Sequence, residues 1–101
     1  MTITVEFHGP IAIIILLGGI DYSAQEEFRN ANTRALSTEW VREIHVDFAQ
    51  ATFLDSSAIR ALILLQKEAS SQGKDLVLLN CNDTMREVFE IGGFDSLFMF
   101  R

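Results

Sequence analysis

Asp55, Ser56 and Ser57 set a carboxylate beside two hydroxyls in the middle of the chain. That grouping can do three things. It can cap a helix, because aspartate and serine oxygens accept backbone N–H groups that a first helical turn leaves unpaired. It can seat a phosphate, since two hydroxyls at the positive end of a helix favour one. It can supply a serine nucleophile, provided that a base lies within hydrogen-bond reach, and only His8 or His45 could serve. From these residues alone the cap is the favoured reading, with Ser56 the central candidate for anything more.

The other chemistry-bearing residues are sparse. Asp21 and Asp55 could form a paired-carboxylate acid/base site, but neither a metal-ligating cluster nor a glycine-rich phosphate loop accompanies them. They read as loop and cap residues. His8 and His45 are solitary, with no ligand-spaced neighbour, so neither a metal nor a cofactor is expected. Cys81 follows an apolar stretch and reads as a small buried hydrophobe. As the one cysteine it has no internal disulfide partner, which suits a reducing cytoplasm.

The elements around the triplet follow from hydrophobic period. Residues 2–8 alternate, with Ile3, Val5 and Phe7 on one side, and predict a half-buried strand near an edge. Gly9-Pro10 predicts a turn and an antiparallel return. Residues 11–17 are apolar without alternation, which predicts a strand covered on both faces, broken by Gly18-Gly19. Ser23 and Glu26 have the spacing of a capping box for a first helix carrying Ala24, Phe28, Ala31 and Ala35. Ile44, Val46 and Phe48 alternate in a third strand that leads to Asp55.

A second helix is expected from about residue 56 to 72. Ala58, Ala61, Leu62, Leu65 and Ala69 share the face assigned to the sheet. Leu64 falls among Ser57, Arg60 and Lys67 on the opposite side, and Ile63 on the flank beside Ser56. An exposed apolar pair next to a modifiable serine suggests an interface. Gly73 ends that helix. Residues 76–79 predict a fourth strand, and Asn82-Asp83 caps a third helix with Met85, Val88 and Phe89 inward. Phe94, Leu97, Phe98 and Phe100 predict a short terminal piece against the sheet edge. The alternation implies an α/β fold: a mixed, mainly parallel sheet of four to five strands with right-handed crossovers.

At 101 residues, 49% hydrophobic, the chain is expected to form one domain spanning residues 1–101. The apolar run at 11–17 is far too short to span a bilayer, and no basic segment precedes it, so neither membrane insertion nor a signal peptide is expected. A formal charge of −6 argues against nucleic acid and allows a basic protein partner.

The run Val46-Asp47-Phe48-Ala49-Gln50-Ala51-Thr52-Phe53-Leu54-Asp55-Ser56-Ser57-Ala58 resembles the signature of the STAS family, the anti-sigma-factor antagonists. Members carry an Asp-Ser-Ser/Thr-Gly turn after such a strand. Ala58 stands here where glycine is usual. Gly18 and Asp21 match a Gly-x-x-Asp of the family. The resemblance implies that Ser56 is a phospho-acceptor and that the protein is not an enzyme. It implies an anti-sigma factor with serine-kinase activity as partner and a serine phosphatase that reverses the modification; a monomer is expected when free. Asp21, Asp55, Ser56, Ser57, Arg60, Ile63 and Leu64 are then expected at the partner face. Two rivals remain at this stage: a STAS-type accessory subunit of a lipid-transporting ABC system, and a small enzyme using Ser56 as nucleophile.

Overall fold

The computed structural model describes residues 2–101. Alternating apolar residues build the strands β1 (Ile3–His8), β2 (Ile11–Ile20), β3 (Glu43–Leu54), β4 (Asp75–Leu79) and β5 (Met99–Phe100). Between them lie the helices α1 (Gln25–Ser37), α2 (Ser56–Ser71) and α3 (Asp83–Ile91). The sheet runs in the order β1-β2-β3-β4-β5. Gly9, at φ 58°, turns β1 back on β2 as an antiparallel pair, and the other neighbours are parallel. This is the mixed α/β sheet expected from the sequence, with the aromatic C-terminal piece as its fifth strand.

The core collects one side of each strand: Ala12, Ile14 and Leu16 from β2, Ile44, Val46 and Phe48 from β3, Leu76 and Leu78 from β4. Phe28, Ala31 and Ala35 of α1, Ala58, Leu62, Leu65 and Ala69 of α2, and Met85 and Phe89 of α3 pack onto that side. Ile11, Ile13 and Ile15 are half-buried on the other. The expectation that β2 is covered on both faces is therefore wrong. It alternates like an ordinary half-covered strand, with isoleucine on its open side too.

Three further expectations give way. Gly18-Gly19 does not break β2, which continues to Ile20 with register shifts between Ile15 and Leu17 and between Gly18 and Gly19. Gly18 takes φ 74°, and a side chain on Gly19 would collide with the Phe53 ring of β3. The pair thus bends the strand and makes room for its neighbour. The Ser23–Glu26 capping box does not form, because Asp21 takes the Ser23 N–H for a short 3-10 turn, Tyr22–Ala24, and α1 begins behind it without a side-chain cap. Val88 points outward and is 45% exposed, since Met85 and Phe89 complete the inward stripe of α3.

Lys74 is buried just before β4. Its Nζ donates to the carbonyls of Leu36 at 2.6 Å and Thr38 at 3.0 Å. The ammonium so closes the C-terminal end of α1, where backbone carbonyls lack helical partners. Burial, and then the Arg42 charge, lower its pKa.

Candidate docking site at the start of α2

β3 ends at Leu54, and the chain turns directly into α2 through Asp55, whose backbone is extended at φ −96° and ψ −178°. Its N–H donates to the Ile20 carbonyl at the end of β2. Its carboxylate is fully committed. Oδ1 accepts the Ala58 N–H at 3.0 Å and the Ser57 hydroxyl at 2.6 Å, and Oδ2 accepts the Tyr22 N–H at 3.0 Å. These donors, the Ser57 hydroxyl foremost, hold the Asp55 carboxyl below its ordinary pKa. Asp21 accepts both the N–H and the hydroxyl of Ser23 on its Oδ1. Neither carboxylate is placed as a free acid or base.

The two serines differ. Ser57 is half-buried and spends its hydroxyl on Asp55. Ser56, the first residue of α2, is exposed, and its hydroxyl has no hydrogen-bond partner among the described residues. It sits at the positive end of a long helix with nothing to hold its oxygen.

A groove crosses the helical side of the domain at this point. Asp55, Ser56, Ser57, Arg60, Ile63 and Leu64 all line it. Asp21 does not, but Tyr22, next to it, does. Leu64 is 51% exposed, as its place on the helix requires. Ile63 is only half-exposed and leans partly on the core. Ile59, left off the core-facing stripe by the sequence reading, is buried.

Sequence reasoning missed three apolar residues of the same surface: Tyr22, 73% exposed, and Val88 and Ile91 of α3. The i, i+3 spacing of Val88 and Ile91 beside the Met85–Phe89 stripe is the signal that could have found two of them. The histidines lie elsewhere. His8 pairs with Glu6 at 3.0 Å and His45 with Glu43 at 2.9 Å, each along its own strand, and neither lines the groove. Among the described residues no group of three His, Cys, Asp or Glu side chains could hold a metal ion. Burial raises the pKa of the Cys81 thiol to about 12, well away from a reactive thiolate.

A family model for the STAS domain matches residues 2–101. The chain is a STAS domain. It is 36% identical over 85 residues to a STAS-domain containing protein of Pseudomonas aeruginosa, covering 84% of this chain and 82% of that one. It is 29% identical over 87 residues to an anti-sigma F factor antagonist of Lysinibacillus sphaericus, covering 86% of this chain and 74% of the other. Its structure superposes on the anti-sigma factor antagonist SpoIIAA in its unphosphorylated form with a TM-score of 0.79, at 26% identity over 98% of this chain and 86% of that one. In this STAS domain the departure from the family turn is harmless. Ala58 is 2% exposed, and its methyl joins the core from inside α2, where no positive φ calls for glycine. No helix among the described residues is long and apolar enough to cross a membrane.

Proposed function

We propose that this STAS domain is an anti-sigma-factor antagonist that works by partner switching, with Ser56 as the phosphorylated residue. The unmodified protein docks a kinase-type anti-sigma factor through the groove at the start of α2. The kinase transfers a phosphoryl group to Ser56 and releases the domain, and a serine phosphatase restores it. The domain is a binding module and a substrate of these enzymes, not an enzyme itself, and it acts in the cytoplasm. The observation that carries the reading is the contrast between the serines: Ser57 is locked to Asp55, whereas Ser56 is exposed, unbonded and bordered by an unpartnered apolar surface. Likeness to a protein named as an anti-sigma F factor antagonist and to SpoIIAA supports the role.

The switch follows from charge. A phosphate brings about −1.5 to −2 units to Ser56. The N-terminus of α2 and Arg60, one turn further, accommodate it within the domain. A partner seated on the groove has to desolvate that charge beside Asp55, which costs binding without unfolding anything. The test uses the purified kinase-type anti-sigma factors of the source genome and titration calorimetry. One of them is expected to bind the wild type and Ser56→Ala alike, and to bind Ser56→Glu much more weakly. Equal binding of all three forms refutes the switch.

A further inference from the structure

Asn32 lies near the middle of α1 and is 7% exposed, yet its Oδ1 has no hydrogen-bond partner among the described residues. The oxygen alone, and not Nδ2, is buried without a partner. An amide oxygen offers two lone pairs, and burying it unused costs free energy that a domain does not ordinarily leave uncompensated. Asn32 lines the same groove as Ser56, together with Arg29 and Thr33 of α1 and Leu64 and Glu68 of α2. Its neighbours on the inner side of α1, Phe28, Ala31 and Ala35, are apolar core residues. A leucine in place of Asn32 would match its shape and their character.

We propose that Asn32 is a docking residue for the main chain of the protein partner: its carboxamide pairs with a peptide group of the segment that fills the groove. Three facts favour a polypeptide occupant. A carboxamide matches a peptide group donor for donor and acceptor for acceptor. Asn32, the exposed Leu64 and Ser56 line one groove, so one segment can cover all three. The rim carries Arg29, Arg60 and Lys67 against Asp55 and Glu68, so it is not negative like the chain as a whole, whose formal charge is −6. Rotation about the last side-chain torsion, which is broad for asparagine, is enough to turn either end of the amide to the groove. Asn32 then fixes the register of the partner, while Ser56 decides whether it stays.

The inference rests on the proposed partner role and separates from it experimentally. The probes are the purified kinase-type anti-sigma factors of the source genome. Asn32→Leu removes the unpaired amide and keeps its branched shape, so its melting temperature is expected to equal or exceed that of the wild type. Its affinity for the anti-sigma factor that binds wild type is expected to fall about tenfold, chiefly through faster dissociation, as for loss of one buried hydrogen bond. Asn32→Ala, which removes the amide without adding apolar bulk, is expected to lose a similar factor. The side-chain amide resonances of Asn32 in the wild-type protein are expected to shift when the complex forms. Unchanged affinity in both variants, or amide resonances that do not move, overturns the inference while the partner role stands. If none of the anti-sigma factors binds wild type, the partner role fails and the inference with it.

Discussion

Asp55 Oδ2 accepts the backbone N–H of Tyr22 at 3.0 Å, across 33 residues of sequence. The same side chain holds Ala58 and Ser57 through Oδ1. One carboxylate therefore ties the turn after β2 to the first turn of α2, which carries Ser56. Asp55→Ala is expected to speed amide exchange at both Tyr22 and Ala58 and to lower the melting temperature. Because the folded-state pKa of Asp55 lies below its ordinary 3.8, its contribution is fully present above that value and is lost as pH falls through the folded value. The stability gap between wild type and Asp55→Ala should stay constant towards neutral pH and close on acidification below 3.8. A gap that widens in acid contradicts this account of the cap.

Leu62 and Leu64 stand two residues apart with opposite duties. Leu62 is 0% exposed and Leu64 51%. Leu62→Ala is expected to lose about 2–5 kcal/mol of unfolding free energy. Leu64→Ala is expected to lose no more than about 0.5 kcal/mol, as at a surface position, and yet to weaken partner binding by more than roughly 1 kcal/mol. Chemical denaturation and calorimetry on the two variants check both halves. Equal destabilisation by the two would place Leu64 in the core.

Lys74→Met keeps most of the buried stem and removes the ammonium that closes α1. The carbonyls of Leu36 and Thr38 then lose their donor. A loss of about 1–3 kcal/mol is expected, the cost of leaving buried acceptors unpaired, with faster exchange in the last turn of α1. An unchanged unfolding curve would show that water replaces the ammonium without cost.

The sequence carried the strand–helix order because each element keeps its period, and it carried the place of Ser56 at the start of α2 because the turn after β3 is written in side chains that cap helices. It did not carry which face of β2 is open. Ile11, Ile13 and Ile15 are as apolar as Ile14 and Leu16, and only the placement of every helix on one side of the sheet separates them. Asp21 displaced the Ser23 cap because it stands two residues ahead and accepts the Ser23 N–H first. Lys74 and Asn32 were illegible for another reason. A lysine or an asparagine in a mixed segment reads as solvent-facing, and only tertiary packing makes one a helix closure and the other an unpaired buried amide.

Phosphorylation is expected to leave the fold intact. The phosphate would sit at the N-terminus of α2, where the helix dipole favours negative charge, and Asp55 keeps its bonds to Ala58 and Tyr22. The modified and unmodified forms should melt within a few degrees of each other. A large drop in melting temperature would mean that the switch works by unfolding and not by charge at the docking surface.

The central claim is that Ser56, and not its locked neighbour Ser57, takes the phosphate. Incubation with the cognate kinase-type anti-sigma factor and ATP, followed by intact-mass measurement and phosphopeptide mapping, tests it most directly. A single added phosphate on Ser56, absent from Ser56→Ala and retained in Ser57→Ala, is the expected result. A phosphate on Ser57, or none on either serine, contradicts it.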